Sequence, residues 1–116
     1  MNTITEPLVT SHRDARGVVT ITLNRPQAFN ALSEAMLQAL QQALDAVAQD
    51  TDARVVVLAA AGKAFCAGHD LKEMRAEPSL AYYQALFDRC TAMMLSLQRL
   101  PVPVIAKVQG MATAAG

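Results

Sequence analysis

Residues 53–60 read ARVVVLAA, and residues 62–74 follow as GKAFCAGHDLKEM. The first run shows no alternation of polar and apolar positions. Continuous β-branched residues predict a strand covered on both faces, the habit of parallel sheets. A loop leaving a strand usually turns polar. Here Phe65, Cys66 and Ala67 come first, then Gly68, and only then Asp70. Asp70 and Glu73 stand at capping-box spacing, with Asp in place of the usual Ser or Thr, so a helical turn is expected from Leu71.

Upstream, residues 8–14 read as a weak strand and 17–24 (GVVTITLN) as a strong one, with Val19, Ile21 and Leu23 alternating with Thr20 and Thr22. The RDARG segment between them predicts a hairpin turn. Pro26 ends strand pairing because it has no N–H to donate. Ser33 is an N-cap candidate and Glu34 favours a first helical turn. Met36, Leu40, Ala43, Leu44 and Val47 then recur at spacings of three and four, which predicts an amphipathic helix over 33–49. Downstream, Tyr83, Leu86, Phe87, Cys90, Met93, Met94 and Leu97 predict a second long helix over 79–99. Met36, Met93 and Met94 are candidate core residues. Residues 104–110 (VIAKVQG) read as a short strand, and MATAAG closes the sequence. The order β-β-α-β-turn-α-β points to one α/β domain over 1–116 with a parallel sheet and crossover connections. The last strand has no following helix, as though the architecture stopped part-way.

Composition narrows the function. The 116 residues carry ten basic and ten acidic side chains, 53% hydrophobic residues and 4% aromatics. Without a Lys/Arg cluster, nucleic-acid binding has no support. No apolar run approaches a membrane span, so no membrane association is expected. The opening MNTITEPLVTSHRD lacks a secretory pattern. Cys66 and Cys90 are far apart and, with His12 and His69, form no zinc-ligand spacing, so no metal is expected. Buried free thiols fit a reducing compartment, and a cytoplasmic location is the expectation. There is no P-loop, GxGxxG or GxSxG pattern.

The chemistry then rests on the backbone. A glycine-containing turn that opens a helix leaves N–H groups unpaired, adds the helix's positive end, and lets a ligand approach closely. Such a place suits an oxygen that becomes anionic during reaction. QGMATAAG (109–116) has the same design: Gly110, Ala112, Ala114, Ala115 and Gly116 stand where a helix would begin. Two such mouths can each give one N–H to a single oxygen. Ordinary close packing accounts for small-residue turns as well.

Three segments, LNRPQAFNAL (23–32), GKAFCAGHDLKEM (62–74) and LPVPVIAKVQGMATAAG (100–116), resemble the crotonase (enoyl-CoA hydratase/isomerase) family in order and spacing. The resemblance implies a crotonase-like spiral of ββα units, incomplete over these residues, which match its N-terminal half. It implies an acyl-CoA thioester as ligand, no separate cofactor because coenzyme A is part of the substrate, and a homotrimer or hexamer for the complete chain. It assigns an oxyanion hole to the backbone N–H groups of His69 and Ala115. It places the coenzyme against Arg25, Gln27 and Ala28 and against Cys66, Ala67, Gly68, His69, Asp70, Leu71 and Lys72, with Gly110 and Ala114 beside the thioester. Asp70 reads as a turn cap rather than a general acid. Lys72 and Arg25 stand either for phosphate contacts or for solvated charges, and the His69 imidazole for an optional, solvent-facing group. Ala114-Ala115-Gly116 replaces the family's frequent GGG, which costs about 1–2 kcal/mol wherever Ala is left-handed. The family's acid/base glutamates would fall beyond Gly116. Two readings stay open: an enolate-forming hydratase or isomerase, and a non-catalytic acyl-CoA-binding protein.

Overall fold

The computed structural model describes residues 6–116; residues 1–5, which open the stretch read as lacking a secretory pattern, lie outside it. Strands β1 (Val9–Arg13) and β2 (Val18–Leu23) form the expected antiparallel hairpin. The Asp14 carboxylate shapes its turn by accepting from the Arg16 and Val18 amides at 2.8 and 3.0 Å. Strand β3 (Val55–Ala60) runs parallel to β2, and β5 (Val104–Ala106) runs parallel to β3, giving one sheet in the order β1-β2-β3-β5.

Helix α1 (Glu34–Gln49) starts where its cap predicts: Ser33 Oγ accepts from the Met36 amide at 3.1 Å. Met36, Leu37, Leu40, Leu44 and Val47 turn one stripe of α1 inward onto Val19, Ile21, Leu23 and Val56. Helix α3 (Leu80–Gln98) closes this layer with Leu86, Cys90 and Met93, and Met94 packs partly buried against the core. No helix among the described residues is long and apolar enough to cross a membrane.

Three sequence expectations change. Strand β3 is not fully enclosed among the described residues: Val56 is buried, and Val55, Val57, Leu58, Ala59 and Ala60 are only half-buried. The strand expected over 104–110 pairs only as far as Ala106. Most important, the motif read as a loop contains a strand, β4 (Ala64–Cys66), which pairs in parallel with β6 (Met111–Ala112) in a second, two-stranded sheet. Ala64, Phe65 and Cys66 are apolar because all three are buried in that strand.

Candidate active site at two strand ends

The second sheet decides where the site lies. Pairing Ala64 with Met111 and Cys66 with Ala112 brings both small-residue segments to the same strand ends. Gly110 packs at the start of β4, where a Cβ would collide with the Lys63 carbonyl. At the far end, Gly68 has φ +88°, and a Cβ there would lie 3.0 Å from Ala114 Cβ and 3.2 Å from the Ala115 amide nitrogen. The two junctions therefore touch at Gly68 and Ala115.

Their amide accounting is specific. The Leu32 amide donates to Gly68 O at 2.7 Å, and the Asp70 amide donates to Leu32 O at 3.3 Å. This parallel bridge takes the groups on either side of His69 and leaves its own N–H pointing away from Leu32. On the other junction, Thr113 N–H donates to Cys66 O at 3.1 Å and Gly116 N–H to Thr113 O at 2.8 Å. Among the described residues, neither the His69 nor the Ala115 amide donates to a protein acceptor. No helix opens at the second junction within these residues. Thr113–Gly116 is a turn, and Ala114 adopts φ +53°, so the left-handed cost falls on Ala114.

The side chains named from sequence take definite places. Asp70 caps helix α2 (Leu71–Ala76), accepting from the Glu73 amide at 3.2 Å. Its other oxygen accepts from Arg25 Nη1 at 3.2 Å, so the Arg25 guanidinium is held by a carboxylate and is not simply solvated. Glu73 departs from the capping-box expectation: its Oε1 accepts from the Glu34 amide at 2.8 Å and thereby caps α1. Gln27 is exposed and Ala28 half-buried in a 3-10 turn (Pro26–Ala28), and Leu71 and Lys72 are exposed on α2. Cys66 is buried with Sγ 3.1 Å from Asn30 O, and burial pushes its thiol up, which leaves it protonated and unsuited to nucleophilic work. His69 is not solvent-facing. It is half-buried, and its ring meets Phe87 of α3 edge-on at 5.1 Å between centroids. Burial lowers its pKa from the ordinary 6.5. An apolar cavity of about 280 Å³, bordered by Leu32, Phe65, Cys66, Met93 and Ala115, lies beneath the second junction.

Asn30 was missed from sequence. It is fully buried at φ +54°, and its side chain accepts from the Arg25 amide at 2.8 Å and donates to Ala61 O and Ala64 O at 2.9 and 3.0 Å. It ties the 25–30 turn to both ends of the loop leading into β4. Gln109 was missed as well: its Nε2 donates to Ala60, Gly62 and Ala64 carbonyls at 2.9–3.2 Å. The readable signal for Asn30 was a polar, left-handed-tolerant residue enclosed by Phe29, Ala31 and Leu32.

A family profile described as enoyl-CoA hydratase/isomerase matches residues 13–116. The chain belongs to the enoyl-CoA hydratase/isomerase family. Its backbone superposes on an enoyl-CoA hydratase from Mycobacterium smegmatis with TM-score 0.94 and 71% identity, over 96% of this chain and 43% of that one. The Xenopus laevis and Homo sapiens proteins named enoyl-CoA hydratase domain-containing protein 3, mitochondrial, are 47% and 42% identical over 86% and 96% of this chain. The chain spans 34% and 37% of those two relatives. The fold is thus the crotonase fold, covered in part. The cytoplasmic expectation is corrected by the frog and human relatives, both named mitochondrial. Buried free thiols do not tell one reducing compartment from another.

Proposed function

We propose that the His69 and Ala115 amides together hold the carbonyl oxygen of an acyl-CoA thioester and stabilise the negative charge it gains when an enolate forms. The observation that carries this is geometric: two amides without protein acceptors belong to junctions in contact at Gly68 and Ala115. Donors fixed by a folded backbone need no reorganisation as charge develops, so they favour the enolate over the ground state. The coenzyme would lie along the 3-10 turn and the first turn of α2. There Gln27, Leu71 and Lys72 are exposed, and Asp70 orients Arg25. Hydratase or isomerase chemistry fits, with coenzyme A as part of the substrate and assembly as a trimer or hexamer at full length.

A second reading is acyl-CoA binding without turnover. Asp70 and Glu73 are committed to backbone amides and to Arg25, so a proton-transfer group in the full-length protein would have to be another residue. Enoyl-CoA hydration and CoA-ester binding, measured together on the full-length protein, separate the two: binding without hydration selects the second. For the amide role, His69→Pro removes the N–H and His69→Ala keeps it. We expect His69→Pro to lower turnover about 10²–10³-fold, far beyond His69→Ala. Equal losses would rule out a backbone donor at this position.

A further inference from the structure

The phase of the second sheet sets which residues of the two junctions stand side by side. Strands β4 and β6 have three and two residues, and a lone two-stranded ladder holds its register weakly. The pairing is also irregular. Ala64 pairs with Met111 and Cys66 with Ala112, so the ladder advances two residues along β4 for one along β6, and Phe65 is the extra residue of a bulge. Beyond the bulge the count is even: His69 lies three residues past Cys66, and Ala115 three past Ala112. Gly68 accordingly stands against Ala114. A ladder without the bulge would set Ala112 beside Phe65 and Ala115 beside Gly68. That slip of one position is about 3.3 Å of strand, whereas a hydrogen bond spans only about 2.7–3.2 Å. An oxygen held by the His69 amide would then lose that of Ala115.

One side chain ties β6 to the start of β4. Among the described residues, Gln109 is the one side chain of residues 107–112 that makes a hydrogen bond. Its Nε2 donates to Ala60 O, Gly62 O and Ala64 O at 3.0, 2.9 and 3.2 Å. These carbonyls run from the end of β3 to the first residue of β4. Ala64 O also accepts from the buried Asn30 Nδ2 at 3.0 Å, so the core fixes an acceptor that Gln109 reads. Gly110 then packs on the Lys63 carbonyl, where a Cβ would collide. Both contacts lie ahead of the bulge, and the Thr113 amide on Cys66 O lies beyond it. We infer that Gln109 is a positioning residue: it holds the bulged register of β4 and β6 and thereby keeps the Ala115 amide level with that of His69. This rests on the amide reading. Gln109 is exposed, and Asn30 holds the 60–64 loop without it, so its loss should displace Ala115 and leave His69 in place.

The test is difference infrared spectroscopy of butyryl-CoA, labelled with ¹³C at the thioester carbonyl, on the full-length protein. Affinity for coenzyme A alone is the control. In the wild type the carbonyl frequency should drop on binding, and His69→Pro should remove part of the drop, which checks the amide reading by itself. Gln109→Met, which keeps the length and lacks the N–H donors, should remove roughly half of the drop, as one of two donors is withdrawn, and leave coenzyme A affinity within about twofold. Gln109→Lys, whose ammonium offers a donor to each of the three carbonyls, should restore it. A full drop in Gln109→Met, no restoration in Gln109→Lys, or loss of coenzyme A binding in Gln109→Met would overturn the inference, the last because the side chain would then merely hold the fold together. In each case the wild-type and His69→Pro spectra still decide the amide reading. If the wild type leaves the carbonyl unshifted, both fall.

Discussion

The junction at Ala67–Asp70 and the junction at Thr113–Gly116 present the same kind of amide with different support. The first is tied into the body of the protein. Leu32 brackets His69, Asn30 pins the loop ahead of β4, and Arg25 holds Asp70. Its left-handed position is a glycine, Gly68. Among the described residues, the second is tied chiefly to the first. Gln109 donates to carbonyls at 60, 62 and 64, Thr113 N–H to Cys66 O, and Thr113 Oγ1 to Ala67 O. Its left-handed position is Ala114. One junction is a template built by the core, and the other is shaped on it. Damage to the first should therefore reach both, and damage to the second should stay local.

The largest break should come from Asn30→Ala. It strips partners from the Arg25 amide and from the Ala61 and Ala64 carbonyls, and it places Ala at a left-handed angle. A loss of about 3 kcal/mol is expected in urea unfolding, together with loss of thioester binding. Next, Gly68→Ala puts a methyl 3.0–3.2 Å from Ala114 Cβ, Thr113 O and the Ala115 nitrogen at a φ that disfavours it. About 2 kcal/mol and a large fall in turnover are expected, since the two amides are pushed apart. Stability losses of equal size without any effect on binding would show that the junctions do not cooperate.

Ala114→Gly sharpens the contrast in the other direction. Relief of the left-handed alanine is worth about 1–2 kcal/mol, and the freer unfolded chain returns about 0.4–1 of it. A net gain of about 0.5 kcal/mol in unfolding free energy is expected; a loss would mean that the Ala114 methyl packs usefully against Gly68. The smallest effect concerns pH. His69 has a folded pKa below its ordinary 6.5, so the unfolded chain binds the proton more readily. Its contribution to stability is complete above about pH 6.5 and declines as pH falls below that value. His69→Phe should flatten that slope, and an identical slope in the variant would show that the ring titrates freely.

Much of this was readable in the sequence because the signals were local. Alternation at Val19, Ile21 and Leu23 fixed one face of β2, and Ser33 and Asp70 marked two helix starts through their own side chains. The amide pair was legible only as small residues after strands, joined by resemblance to a family. Strands β4 and β6 were not legible, since three and two residues are too short for a period to show. The ties from Asn30 to Ala61 and Ala64, from Glu73 to Glu34 and from Gln109 to residues 60–64 were not legible either, because those partners are 31 or more residues away. Nothing in a run of β-branched residues revealed that, among the described residues, only Val56 of β3 would be fully buried.

The most direct measurement is a structure of the full-length protein with an acyl-CoA thioester bound. The His69 and Ala115 amide nitrogens are expected about 2.7–3.1 Å from the thioester oxygen, both on the same atom. A bound thioester whose oxygen is held by other groups, with either amide donating to a protein acceptor, would contradict the account.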